Sequence, residues 1–257
     1  MLRKRILAAT ITIILMLSMS VPAFAVVSGP VSVTDIREGT IFTYGTYEQD
    51  GDESNGQEPI LWLALENLEN DVLCISVYGL ALVSYHPDYT DITWETCALR
   101  EWMNDSFLNT AFTEEEQASI LLKEIRNSNT TDSNTMWRMM KNSEPTEDKI
   151  FALDCHEAEG YFGNRKAYSS GGGSVVTQLL ADPAYCVATP YAVQQGAMED
   201  DGFCYWWLRG AATRTSYAAF VGPNAREGTT HQFSSHITVR PAMWLNVVTA
   251  PDITVVA

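Results

Sequence analysis

Basic residues are scarce. The 257 positions hold 16 lysines and arginines against 32 acidic residues, a formal charge of −16. A chain this acidic is repelled by phosphate backbones and anionic membrane surfaces, which argues against nucleic acid or lipid as a partner. Histidine is as sparse. His86, His156, His231 and His236 are scattered, the last two lack helical zinc spacing, and no HExxH run exists. No GxSxG elbow offers a serine nucleophile. The glycine-rich run 169–174 lacks the GK[ST] ending of a phosphate loop and reads as a flexible segment. The five cysteines, Cys74, Cys97, Cys155, Cys186 and Cys204, are odd in number and irregularly spaced, so they form no disulfide framework. They read mainly as core thiols, with one bridge left open. No internal repeat and no linker divides the chain.

What is present begins with an address. Arg3-Lys4-Arg5, an apolar run over 6–19 and Ala23-Phe24-Ala25 have the form of a cleavable signal peptide covering residues 1–25. The apolar run is shorter than the ~20 residues that a membrane span needs. The expectation is an exported product, secreted or associated with the cell surface, with no stable membrane insertion after cleavage. Residues 26–35 read as a short linker and 248–257 as a C-terminal tail.

From Ile36 onward β signals alternate with turn signals. Strands are expected at 40–44 and 59–65, around the polar insert 48–56, and a hairpin over 65–72 leads into the strand that carries Cys74. The insert reads as a solvated acidic turn. Oxygens of Asp50, Asp52 and Asn55 are its weak Ca²⁺ option, since the EF-hand pattern fails: the glycine is one place late and Leu61 stands where the bidentate Glu belongs. No other cofactor or metal is expected.

Trp94, Ala98 and Trp102 recur at four-residue spacing, predicting a helix over 94–104. Thr113 with Glu116 makes a capping box that opens a second helix through Leu121. A polar surface loop is expected over 127–146, a strand over 148–153, a short helix over 156–162, and another over 190–197 after Thr189-Pro190. Then comes Tyr205-Trp206-Trp207-Leu208-Arg209, answered later by Val239-Arg240-Pro241-Ala242. Adjacent indoles on a strand point to opposite faces, so both can be covered. Arg209 and Arg240 read as framework residues that tie loops to the sheet. Strands over 216–221 and 237–247 close the chain.

The blocks Tyr44-Gly45-Thr46-Tyr47, Pro59-Ile60-Leu61-Trp62, Trp94 with Arg100 and Trp102, Trp206-Trp207-Leu208-Arg209 and Val239-Arg240-Pro241 occur in an order and spacing that resemble the bacterial DUF6273 domain, over about 38–247. Trp62, Trp94, Arg100, Trp102, Trp206, Trp207, Arg209, Arg240 and Pro241 form this structural signature. More distantly, the pattern is similar to the C-type-lectin-like fold, shared with formylglycine-generating sulfatase-modifying factors. That resemblance implies an α+β class: one C-type-lectin-like domain over 36–247, mostly antiparallel sheet with paired terminal strands and a few short helices.

Fold does not give function. The first expectation is a non-catalytic module that binds an extracellular glycan or protein. Its candidate face is the loop region 210–236, with Arg214, Tyr217, Asn224, Arg226, His231 and Gln232 as ligand-binding candidates. The alternative is a secreted enzyme, for instance of the formylglycine-generating type, whose chemistry needs a cysteine pair. Cys186 and Cys204 are the pair that could meet. No catalytic residue is nominated, because carboxylate separations of ~5–9 Å cannot be read from sequence.

Overall fold

The computed structural model describes residues 36–127, 140–162 and 182–256. The expected signal peptide, the linker, the glycine-rich run and most of the 127–146 loop lie outside these residues.

Branched and aromatic residues of Ile41–Tyr47 (β1) and Glu58–Leu68 (β2) pair antiparallel, Ile41 opposite Leu63 and Tyr47 opposite Glu58. Ile60, Trp62 and Ala64 are buried at every second position, as a one-faced strand requires. β1 bulges between Thr43 and Thr46 at Gly45 (φ 66°), where Phe112 and the Ala111 carbonyl leave no space for a Cβ. β2 turns through Glu69 and Asn70 into Asp71–Ser76 (β3), the expected hairpin, with Glu69 left-handed at φ 62°.

The chain then enters a second sheet at Ala81–Leu82 (β4) and continues into short helices. Trp94–Thr96 forms one 3₁₀ turn, followed by Ala98–Trp102 (α1), a π turn over Met103–Phe107, and Leu108–Ala111 (α2). The helix expected over 94–104 is therefore corrected: Cys97 is extended (φ −77°, ψ 151°) and breaks it. Trp94 is drawn into the interior, its indole N–H donating to Asp148 Oδ2 at 2.9 Å, and the Cys97 thiol accepts from the Arg100 N–H. Leu99, Met103 and Phe107 form the fully buried stripe; Trp94 is buried as well, but apart from that stripe, and Ala98 and Trp102 are only partly buried. Tertiary burial has overridden the local period.

Glu114–Ser119 (α3) carries the expected capping box at Thr113 and Glu116. Lys123–Ile125 (β5) pairs with Thr146–Asp148 (β6), so strands flank the expected loop and take its last residue, Thr146. Ile150–Phe151 (β7) joins the first sheet, separated from β6 at Lys149. Cys155–Phe162 (α4) and Pro190–Gln194 (α5) match the two later helices, the second capped by Thr189 Oγ1 on the Ala192 N–H at 3.2 Å.

Glu199–Asp200 (β8) and Phe203–Cys204 (β9) make a small hairpin. Trp206–Ala211 (β10), Tyr217–Val221 (β11), Glu227–His231 (β12) and Thr238–Val239 (β13) build the second sheet. Ala242–Asn246 (β14) and Thr254–Val255 (β15) return to the first. The sheet orders are β15-β1-β2-β3-β14-β7 and β12-β11-β10-β13-β4. Pairing is antiparallel except between β10 and β13. The terminal strands do pair, Phe42 opposite Val255, but through β15, which lies in the stretch expected to be a tail.

The chain passes directly from one sheet to the other between β3 and β4 and between β13 and β14. Pro241 sits at the second, where a missing N–H ends one ladder and its carbonyl accepts from Ser76 at 2.9 Å. One continuous apolar core fills the space between the sheets and the helices.

Candidate functional site

The interior cations come first, because they show what is already committed to holding the fold. Arg209 is 2% exposed. Its guanidinium donates to Glu157 Oε1 (2.9 Å) and Oε2, Asp154 Oδ2 (3.0 Å), and the carbonyls of Ala152 (2.9 Å) and Arg126 (2.9 Å). Burial works against the charge, but the two carboxylates more than offset it and hold the guanidinium protonated. Burial raises the Asp154 carboxyl, and Arg209 opposes that rise. The adjoining cavity, bordered by Trp94, Asn127, Asp154 and Cys155, is about 30 Å³, room for a water but not for a substrate.

Arg240 ties the two sheet crossings together. Its Nε donates to the Ser76 carbonyl (2.8 Å), Nη1 donates to Pro183 (2.6 Å), and its plane lies over Trp206 at 5.0 Å. Trp206 and Trp207 are both fully buried, and their indoles donate to Ala184 (3.0 Å) and Val83 (2.9 Å). Trp62 donates to the Tyr44 carbonyl at 2.8 Å. Arg100 reaches buried Asp148 at 2.6 Å, while Trp102 packs half-buried on Phe107. Every residue of the tryptophan and arginine signature is thus engaged with protein.

The ligand candidates divide into two groups. Tyr217 lies on a strand, as expected, and Arg214, Asn224, Arg226 and Gln232 lie in turns or irregular backbone, but His231 falls on an unexpected strand: β11 and β12 are a regular hairpin with Tyr217 opposite His231 and Val221 opposite Glu227. Asn224 and Arg226 sit at its turn, where Asn224 Oδ1 accepts from the Arg226 N–H at 3.1 Å. Arg214, Tyr217, His231 and Gln232 sit at the open end, about 13 Å away at ~3.3 Å per residue.

At that open end the aromatic side chains gather. Tyr217 OH and His231 Nε2 are 3.1 Å apart, and the rings are 4.3 Å apart. His231 stacks on Phe233 at 4.8 Å and 22°. Tyr89, from the loop after β4, lies 6.4 Å from His231 and 6.3 Å from Phe233. Tyr89 is 70% exposed and Phe233 41%. Arg214 covers Tyr217 at 4.1 Å and makes no side-chain hydrogen bond among the described residues. The His231 Nδ1 atom is buried without a partner.

Gln232 builds this face rather than lining it. It is 1% exposed, and its amide donates to the carbonyls of Asp88 and Thr90, both at 2.8 Å. The Ser216 hydroxyl also donates to Thr90 (3.0 Å), and the His86 N–H donates to the Gln232 carbonyl (3.0 Å). These bonds hold the Tyr89 loop against β12.

The polar insert near β1 is a solvated turn over 52–56, as its composition implied, but its first two residues, Glu48 and Gln49, are buried. Asp50 Oδ2 accepts from Asn55 at 2.8 Å, while Asp52 is turned to Ser54. The carboxylates that converge are Glu48, Asp50 and Glu58, with oxygens within 4.8 Å of one another. Burial and the neighbouring acids raise the Glu48 carboxyl, against the Gly51 N–H that lowers it.

Residues 69–247, more than half of the chain, match the model of a domain of unknown function, DUF6273. The chain belongs to the DUF6273 family. No curated protein and no solved structure gives a match. The aromatic face lies wholly inside the DUF6273 match, whereas the three-carboxylate group and strands β1 and β2 precede it. The blocks at Tyr44 and Pro59 that added to the resemblance are therefore outside the matched stretch, yet their strands are integral to the first sheet. Tyr89 and Phe233 were missed from sequence. Tyr89 stands in a polar loop with no strand or helix period, and hydrogen bonds of that loop to Ser216 and Gln232 bring it to Phe233.

Proposed function

We propose that this chain is an exported, non-catalytic binding module that takes an extracellular glycan on the face formed by Tyr89, Tyr217, His231 and Phe233. The observation that carries the reading is the cluster of partly exposed rings with a free guanidinium beside it. A sugar ring offers an apolar C–H face to an aromatic ring and hydroxyls to donors such as Arg214. The positive Arg214 disfavours a quaternary ammonium ligand, which would otherwise suit an aromatic cluster. The open surface fits a polymer better than a small metabolite, which needs enclosure.

Paired terminal strands with recognition groups carried at one end of a sheet support a C-type-lectin-like arrangement. The basic and apolar leader supports export and a secreted or surface location. A formylglycine-generating type of enzyme is the second reading, favoured by the meeting of Cys186 and Cys204. Both thiols are fully buried, which leaves a substrate no access to them in this state.

The test is a glycan-array and cell-wall-polysaccharide screen on the purified chain, with Ca²⁺ or with a chelator. Saturable binding is expected, weakened about tenfold or more by Tyr89→Ala or Phe233→Ala, the size of an aromatic contact at a binding centre. Because both side chains are exposed, the melting temperature should not move. Binding that survives both substitutions would put the ligand elsewhere, and no glycan binding at all would end the reading in favour of a protein partner. A loss confined to the chelated sample would locate Ca²⁺ at Asp50, Asp52 and Asn55 or at the neighbouring carboxylates.

A further inference from the structure

Cys186 and Cys204 are separated in sequence and adjacent in space. The segment before α5 runs beside β9, so that the Cys204 N–H donates to the Cys186 carbonyl at 2.8 Å. That bond brings the two backbones side by side at these residues, the close approach that a disulfide, with Cα atoms ~4.4–6.8 Å apart, requires. Cys186 Sγ donates to the Val187 carbonyl at 3.7 Å, and the two thiols are near enough for each to shift the ionisation of the other. Cys204 Sγ also lies 3.4 Å from Thr238 Oγ1. The other cysteines are engaged elsewhere: Cys74 Sγ donates to the Met243 carbonyl, Cys97 caps α1 and Cys155 opens α4.

The surroundings are not those of an inert apolar thiol. The Arg240 charge acts on both sulfurs, and the Tyr78 hydroxyl, close enough to feel Cys186, is buried without a hydrogen-bond partner. Burial pushes both thiols up. Cys204 remains well above its ordinary value, raised further by Cys186, whereas the neighbouring Cys204 thiol and the Arg240 charge bring Cys186 below its own. The Arg240 charge favours a thiolate at either sulfur, and exchange can start from Cys186.

We propose that Cys186 and Cys204 are a thiol–disulfide pair, closed by a disulfide-bearing oxidant such as oxidised glutathione, and that the bond staples the segment before α5 to β9. The Cys186 thiolate attacks one sulfur of the oxidant, the oxidant's S–S bond breaks, and one thiolate leaves. Cys204 gives up its proton to solvent and attacks the Cys186 sulfur of the mixed disulfide, expelling the second thiolate. Two cysteine thiols lose two electrons and two protons, and one oxidant disulfide becomes two thiols. Since both sulfurs are fully buried, exchange takes place as the chain folds or through local opening. The proposal is independent of the glycan reading.

The purified chain is refolded in a buffer of oxidised and reduced glutathione, denatured in iodoacetamide and mapped by mass spectrometry. The expected result is a single linked peptide pair containing Cys186 and Cys204, two hydrogens lighter, with Cys74, Cys97 and Cys155 alkylated. Adding reductant should lower the melting temperature by several degrees, because the cross-link restricts the unfolded chain. The double variant Cys186→Ser/Cys204→Ser should melt at the same temperature in either buffer. Five alkylated cysteines after oxidation, or a link between any other two, would overturn the proposal, and that map needs only the unaltered protein.

Discussion

Arg209, on β10, and Arg214, five residues on in the turn between β10 and β11, are put to opposite uses. Arg209 is buried among two carboxylates and two carbonyls, so nothing of its guanidinium is left for a ligand. Arg214 is exposed, rests on the Tyr217 ring and keeps its donors free. Their sequence surroundings do not distinguish them. What separates them is the supply of acceptors, which α4 and the Arg126 carbonyl deliver to the end of β10 and which no element delivers beyond it. A cation saturated by protein holds the fold, and a cation left over beside exposed rings can bind.

The comparison breaks most sharply by substitution at the two arginines. Arg209→Ala leaves Glu157 and Asp154 facing each other half-buried without their cation, a change that costs about 3–5 kcal/mol in buried ion pairs. Arg214→Ala removes a cation–π contact at the surface and should stay within ~0.5 kcal/mol. Trp206→Ala belongs with the first, at about 3–5 kcal/mol for a fully buried indole. Urea melts of the three variants check this directly. Equal stability of the two arginine variants would mean that Arg209 is not the framework residue described here.

How much of this was legible in the sequence follows the same division. The paired indoles, the capping box at Thr113 and the framework arginines could be read because local pattern and tertiary role agree. The break at Cys97 could not, since Trp94 leaves the helical period to reach Asp148, a residue of a strand far along the chain. β12 was missed because Glu227-Gly228-Thr229-Thr230-His231 is an edge strand, half-buried throughout, with no apolar alternation to mark it. The six ligand candidates come together only in part, for a related reason. Residue type selected Arg214, Tyr217 and His231, but only strand register separates them from Asn224 and Arg226, and only the Gln232 amide brings Tyr89 to them.

Gln232 gives a sharper test, because it belongs to both halves of the comparison: buried and saturated itself, it arranges what is exposed. Gln232→Leu keeps much of the bulk and removes both donors from the Asp88 and Thr90 carbonyls, at a cost of ~1–3 kcal/mol. The expected signature is a modest loss of stability together with faster amide exchange confined to residues 86–90. Glycan binding should weaken as much as in Tyr89→Ala while the rings themselves are intact. Faster exchange spread over the whole second sheet would instead make Gln232 an ordinary core residue.

The smallest effect is expected at Glu48, which is buried like Arg209 but lacks a cation. Burial and the carboxylates of Glu58 and Asp50 raise its folded-state value above that of the unfolded chain. A raised acid contributes its stability below the unfolded value, and that contribution is lost as pH rises through the folded one. Glu48 is therefore a mild liability at neutral pH. Glu48→Gln retains an oxygen that can accept from the Gly51 N–H, as the native carboxylate does at 2.6 Å, and removes one of three converging charges. The variant should melt slightly higher than the parent at pH 7 and show no advantage near pH 4, where the native carboxyl is already protonated. A lower melting point at pH 7 would mean that the negative charge at Glu48 is itself stabilising, as it would be if the three carboxylates held a cation, and repeating the melt with a chelator would then separate those cases.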